Sequence, residues 1–231
     1  MSPCSAHAFV PGVPVSPMFP LGSVLVPGMI LPLHVFEPRY RALVRDCTAG
    51  DGEFGVVLIE RGSEVGGGDA RTDVGTMARI VQADELPDGR LAVGAVGMRR
   101  IRVTAWLVDE PYPRAEVADW PDLDVDGDGD VAGEGVVAPP AATGALVEDV
   151  DGLLRRVGAL RTELGEPAPP LDFSLAEDPL IAGYQATALA PLGPLDKQAL
   201  LAASSVRARL DDVRRLLGEH VELLQARLAG G

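Results

Sequence analysis

The stretch Arg100-Ile101-Arg102-Val103-Thr104-Ala105-Trp106-Leu107 decides how the first half of this chain is read. Ile101, Val103, Ala105 and Leu107 alternate with Arg100, Arg102, Thr104 and Trp106, a period of two that puts one face of a strand on a core and the other in water. Upstream, Leu86-Pro87-Asp88-Gly89-Arg90 makes a tight turn, because proline presets one backbone angle and Gly89 accepts a positive φ. Apolar runs at 29–35, 53–59 and 74–83 are further strands, and 112–120 adds a last one. Between the first two runs, Pro38 suits the first turn of a helix, and Tyr40, Leu43, Val44 and Cys47 share one of its faces.

Downstream the period changes. Leu146, Val150, Leu153, Val157, Leu160 and Leu164 are spaced by four and three residues in turn, which places them on one helical stripe. The proline-rich segment 166–170 ends that helix. Val206, Leu210, Val213, Leu217, Val221, Leu224 and Leu228 form a second stripe, with Ser204 as its N-cap. Shorter helices are expected at 179–189 and 196–203. The stripes are short for coiled coils, so they read as a helical core. Strands first and helices afterwards give an α+β chain.

Composition narrows the function classes. The 231 residues are 47% hydrophobic but only 4% aromatic, so the core rests on Leu, Val, Ile and Ala. The net charge is −14, and much of it lies in Asp119, Asp122, Asp124, Asp126, Asp128, Asp130 and Glu134. That sign opposes nonspecific binding to nucleic acid or anionic membranes. Cys4 and Cys47 are too few for a disulfide framework or a four-thiolate zinc site, so a reducing compartment is expected. Residues 1–17 carry no Lys or Arg and no apolar core of a secretory signal. No stretch approaches the roughly 18 apolar residues of a membrane span, and a cytoplasmic location is expected. The expected layout is a flexible segment 1–16, a β subdomain 17–120, an acidic Gly-rich linker 121–138 without fixed structure, and a helical subdomain 139–231.

No complete catalytic constellation is found. Asp122-x-Asp124-x-Asp126-Gly127 is similar to a calcium loop, but the twelfth residue from Asp122 is Gly133 and from Asp124 is Gly135, so Glu134 closes neither register. A solvated linker is the preferred reading. Gly66-Gly67-Gly68 precedes a strand and not the helix N-terminus that would hold a phosphate. Lys197, the only lysine, lies in neither a phosphate-binding loop nor a Ser-Lys setting, and no G-x-S-x-G occurs. His7, His34 and His220 stand apart, without metal-ligand spacing. No cofactor and no metal are expected. Arg99, Arg100 and Arg102 form the dense basic cluster, near Trp106; RNA binding is one reading, and a solvent face balancing nearby acids is preferred.

The order of motifs resembles a known family. Phe19-Pro20-Leu21, Val26-Pro27-Gly28-Met29-Ile30-Leu31-Pro32-Leu33 and Phe36-Glu37-Pro38-Arg39-Tyr40 are similar to the opening of the substrate-binding amino-terminal domain of Lon proteases, especially its free-standing members. Val74-Gly75-Thr76-Met77-Ala78-Arg79-Ile80, Leu86-Pro87-Asp88-Gly89 and Val96-Gly97-Met98-Arg99-Arg100-Ile101 continue the likeness. Lys197-Gln198-Ala199-Leu200-Leu201, Arg209-Leu210 and the last leucine-rich helix close it. The acidic stretch 121–138 and the first fifteen residues depart from the pattern. The resemblance implies a partly closed β-barrel of the PUA-like type followed by a helical bundle. It also implies a non-catalytic module that engages unfolded or degron-bearing polypeptide, in company with a protease or chaperone system and without the ATPase and Ser-Lys protease of full-length Lon. PUA-like barrels of other families bind RNA, which gives Arg99, Arg100 and Arg102 their alternative role. Phe36, Glu37, Arg39 and Tyr40, an aromatic anchor beside charges at a strand-to-helix corner, are the candidate polypeptide contacts. The competing reading makes Phe36 and Tyr40 plain core.

Overall fold

The computed structural model describes residues 14–61, 70–123, 140–168 and 172–230. The flexibility expected before residue 14, the Gly66–Gly68 loop, the stretch 124–138 and the prolines at 169 and 170 lie outside the described residues. The chain divides into two compact units, Met1–Trp120 and Pro121–Gly231.

The first unit holds β1 (Val15–Leu21), β2 (Ile30–Val35), α1 (Pro38–Ala49), β3 (Glu53–Arg61), β4 (Ala70–Glu85), β5 (Leu91–Trp106) and β6 (Arg114–Asp119). The sheet is mixed, in the order β2-β5-β4-β3-β1-β6, and β5 pairs with β6 as well. Among the described residues only β1 and β3 run parallel. The length of β5 explains the double pairing: its first half, Leu91 to Val96, lies along β2, and its second half, from Ile101 onward, lies along β6. Irregularities in the β4–β5 register at Met77/Ala78 and Ile80/Gln82 bend the pair between the two halves.

Both faces of this sheet are covered. Phe19, Val56 and Ala78 face a cluster completed by Tyr40, Leu43, Val44 and Cys47 of α1. Met18, Val57 and Met77 face another with Ile101, Val103 and Val117. Burial on both sides is why β3 reads as an unbroken apolar run and not as an alternation. Close strand approach also needs glycine. A Cβ at Gly75 would collide with the Val56 carbonyl oxygen, and one at Gly97 would stand 2.6 Å from the Val26 carbonyl oxygen. The β4–β5 turn forms as expected: Gly89 has φ +79°, and Leu86 N–H donates to the Arg90 carbonyl at 2.8 Å.

The second unit comprises α2 (Pro140–Glu163), α3 (Pro179–Leu189), α4 (Pro194–Leu201) and α5 (Val206–Gly230). Leu146, Val150, Leu154, Val157 and Leu160 of α2 pack with Val206, Leu210, Val213, Leu217 and Leu224 of α5. Lys197 Nζ donates to the Ala188 carbonyl at 2.9 Å, satisfying an acceptor in the last turn of α3.

Several sequence expectations are corrected. β1 was hidden by Pro17 and Pro20; it starts at Val15, so Val15 and Ser16 belong to the sheet. The buried member of the α2 stripe is Leu154, with Leu153 at its edge, because a period of 3.6 drifts across alternating threes and fours. α2 stops before the prolines: Gly165 takes φ +69°, Glu166 N–H donates to the Arg161 carbonyl, and Gly165 N–H to that of Thr162. That is a Schellman stop. The cap of α5 is Ser205, whose hydroxyl accepts from Ala208 N–H at 3.1 Å; Ser204 instead offers its carbonyl to Leu123 N–H.

Asp122 is the largest departure. Read with the solvated linker, it is buried: Oδ1 accepts from Arg209 Nη2 at 2.7 Å and Oδ2 from the Tyr184 hydroxyl at 3.0 Å. Arg209 is fully buried, stacks over the Tyr184 ring at 4.3 Å and donates from Nε to the Leu200 carbonyl.

Candidate functional site

The corner between β2 and α1 is set by Pro38, which fixes the first helical turn and leaves Phe36 and Glu37 outside it. Its four candidate residues have different surroundings. Phe36 is 57% exposed. Tyr40 is buried, with its ring stacked on Phe19 at 4.1 Å between centroids and 14° between planes. Glu37 accepts from Arg39 Nε at 3.0 Å, and the Arg39 guanidinium lies 4.5 Å over the Tyr40 ring. The cation and the carboxylate are therefore engaged with each other and with the aromatic core.

A pocket of about 170 Å³ opens at this corner. Phe19, Leu21, Leu33, Val35 and Tyr40 give it apolar walls, while Pro32, His34, Phe36 and Glu37 complete the lining. A cavity of ~150 Å³ takes up one benzene ring, so the space suits a single aliphatic or aromatic side chain. Phe36, Glu37 and Tyr40 meet at the pocket, and Arg39 stands outside its wall. The sequence did not single out Phe19, Leu33 or His34 as part of the site. Phe19 and Leu33 were legible only as apolar strand residues, and their meeting depends on long-range pairing.

The basic cluster does not form one surface. Arg99 donates from Nη1 to Glu53 at 2.9 Å and from Nε to Asp119 at 2.8 Å, and these partners raise its pKa. Glu53 is also bound by Arg79 at 2.7 Å. Arg100, expected on the solvent face, is only 3% exposed, with its guanidinium 4.6 Å over the Trp120 ring. The register break at Met77/Ala78 turns that part of β5 away from strict alternation. Arg102 stacks on the same ring at 4.0 Å. A larger hollow of about 480 Å³ adjoins Arg99, Glu53, Asp119 and Asp51.

Reactive groups are muted. The Cys47 thiol donates to the Glu53 carbonyl at 3.3 Å; burial first, then Asp51 and Asp46, push its pKa up to about 12, so it holds its proton at neutral pH. Burial lowers the pKa of Lys197, whose ammonium is spent on the Ala188 carbonyl. Among the described residues no group of three or more His, Cys, Asp or Glu side chains is placed to hold a metal ion. No helix among them is long and apolar enough to cross a membrane.

Comparison with known proteins gives a consistent result. The chain is 25% identical over 214 residues to Lon protease 1 of Herpetosiphon aurantiacus, covering 89% of this chain. It is 30% identical over 215 residues to Lon protease 2 of Myxococcus xanthus, covering 91%. In both cases it spans 24% of the relative's length. Among solved structures, the Lon N-terminal domain protein from Xanthomonas campestris superposes with a TM-score of 0.60 at 30% identity, covering 87% of this chain and 97% of that one. The N-terminal domain of Mycobacterium avium complex Lon protease shares the fold at TM-score 0.60 and 20% identity, covering 90% and 98%. The family model for the ATP-dependent protease La (LON) substrate-binding domain matches residues 15–219. With the strand-to-helix corner, both clusters of the sheet and most of the helical unit inside that span, this chain belongs to the Lon substrate-binding domain family.

Proposed function

We propose that this chain recognises unfolded or degron-bearing polypeptide and does not transform it, acting as a binding module or adaptor for a cytoplasmic protease or chaperone system. The observation that carries the reading is Phe36: a large apolar side chain, more than half exposed, beside a pocket sized for one side chain. An exposed aromatic next to a preformed apolar pocket is the usual core of an interface hot spot. Family membership supports the client class. The circuit of pairings through β5, β4, β3, β1 and β6 supports a partly closed barrel of the PUA-like kind.

The test is a titration of fluorescently labelled, reduced and unfolded polypeptide into the whole chain. Saturable binding in the micromolar range is expected, and Phe36→Ala weakens it by about tenfold, the scale of a hot-spot residue. Absence of saturable binding at tens of micromolar would sink the reading. RNA binding has less support, since Arg99 is paired with two carboxylates and Arg100 is buried. It predicts retention on RNA that falls steeply with salt and is lost in Arg102→Ala.

A further inference from the structure

We infer that the outer edge of β2 binds its client by strand addition, taking an extended segment with an apolar side chain at every second position and basic residues at its ends. The inference rests on the polypeptide-recognition reading and specifies the mode.

Among the described residues β2 is hydrogen-bonded on one side only, to β5. Gly97 N–H donates to the Met29 carbonyl at 2.9 Å, immediately before the strand. In an antiparallel ladder the pairs bonded to the neighbour alternate with pairs that are not. Continuing from Met29, the odd positions Leu31, Leu33 and Val35 turn their backbone groups toward β5. The even positions Ile30, Pro32 and His34 turn theirs outward. Pro32 has no N–H to give, and it sits at an outward position, where β5 loses nothing. Ile30 and His34 each present an N–H and a carbonyl to the open side, and Pro32 presents a carbonyl alone. Ile30 is 74% exposed, and Pro32 and His34 are exposed too, so among the described residues this edge is not covered.

Such a row matches the backbone of an extended chain and no other common ligand. Side chains of an added strand alternate between faces. On the face of Leu33 and Val35 they meet the apolar pocket beside Phe36; on the other they lie beside the exposed Ile30. That alternation sets the pattern of the client. Residues 1–120, the unit that holds β2, carry fifteen acids against eleven arginines, which favours basic flanks. A second copy of this chain is a poor occupant: β2 has six residues, against roughly 20–30 per partner in a stable interface.

The probe is a capped heptapeptide alternating valine and threonine with a lysine at each end, followed by fluorescence anisotropy with the whole chain. One version is N-methylated at the amides that face β2 in the added strand, and another at the amides that face away. The protein variants are His34→Pro, which removes an outward N–H without touching the β5 ladder, and His34→Ala, which keeps it. Binding is expected to be about tenfold weaker for His34→Pro than for His34→Ala, the worth of one hydrogen bond made away from water, and to fall further with edge-facing N-methylation, which blocks several. The other N-methyl set binds as the parent peptide does, and thermal melts of the two variants match each other. No binding of the parent peptide, equal loss in both N-methyl sets, or undiminished binding by folded His34→Pro each overturns the inference, as does self-association that accounts for the edge. If unfolded polypeptide still binds His34→Pro as it binds the wild type, strand addition fails while the recognition reading stands.

Discussion

Replacing Asp122 by asparagine would leave the buried Arg209 guanidinium facing Tyr184 and the Leu200 carbonyl with no counter-charge. Breaking one side of a buried ion pair costs about 3–5 kcal/mol, whereas replacing both partners by apolar residues is often neutral. Urea unfolding should therefore show a large loss for Asp122→Asn and for Arg209→Met, and a much smaller loss for the Asp122→Leu/Arg209→Met double variant. His220 gives a pH dependence with a definite sign. Its Nε2 is buried without a hydrogen-bond partner; burial, then Arg161 and Arg227 against Glu166, lower its pKa from the usual histidine value. As pH falls the unfolded chain takes up this proton first, so the contribution is full above about pH 6.5 and is lost below it. Thermal melts at about pH 7.5 and about pH 5.5 should show a drop in Tm that is smaller in His220→Gln.

At the scale of elements, glycine has opposite meanings in the two units. In β4, Gly75→Ala drives a Cβ into the Val56 carbonyl oxygen, and overpacking of this kind costs about 1–3 kcal/mol. In α2 and α5, a Cβ at Gly152 or Gly218 meets nothing within 4 Å, so alanine at either position should stabilise by about 0.5–1 kcal/mol. Urea unfolding of the three single variants checks both signs. The same contrast explains what could be read in the sequence. α1, the Leu86–Arg90 turn and the helical stripes are local patterns: a period, a proline at N1 and a glycine with positive φ suffice. β1 escaped because Pro17 and Pro20 look like loop, and what makes them strand is pairing with β6 and β3 far along the chain. Asp122 looked like the first of a solvated acidic series, since nothing local announces Arg209 as its partner. At the candidate site, Phe36, Glu37 and Tyr40 stand next to one another in sequence and were legible. Phe19 and Leu33, which build the pocket with them, are brought there by the sheet.

For the molecule as a whole, charge and family membership set the expectations. A net charge of −14 should favour unfolded clients of basic composition over acidic ones of equal hydropathy. That preference should shrink as salt shortens the Debye length from about 10 Å at 0.1 M to about 3 Å at 1 M. Paired titrations with two such clients at low and high salt measure it, and equal affinity at low salt would count against it. The pairing of β1 has a further effect during synthesis. Met18, Phe19 and Leu21 of this strand wait for their partners Gly55, Val56 and Leu58 of β3, and Val15, Ser16 and Pro17 wait much longer, for Glu116, Ala115 and Arg114 of β6. Until β3 is made, the nascent chain displays an apolar segment without its strand partner. While being made, this module is itself the kind of polypeptide that it is proposed to recognise.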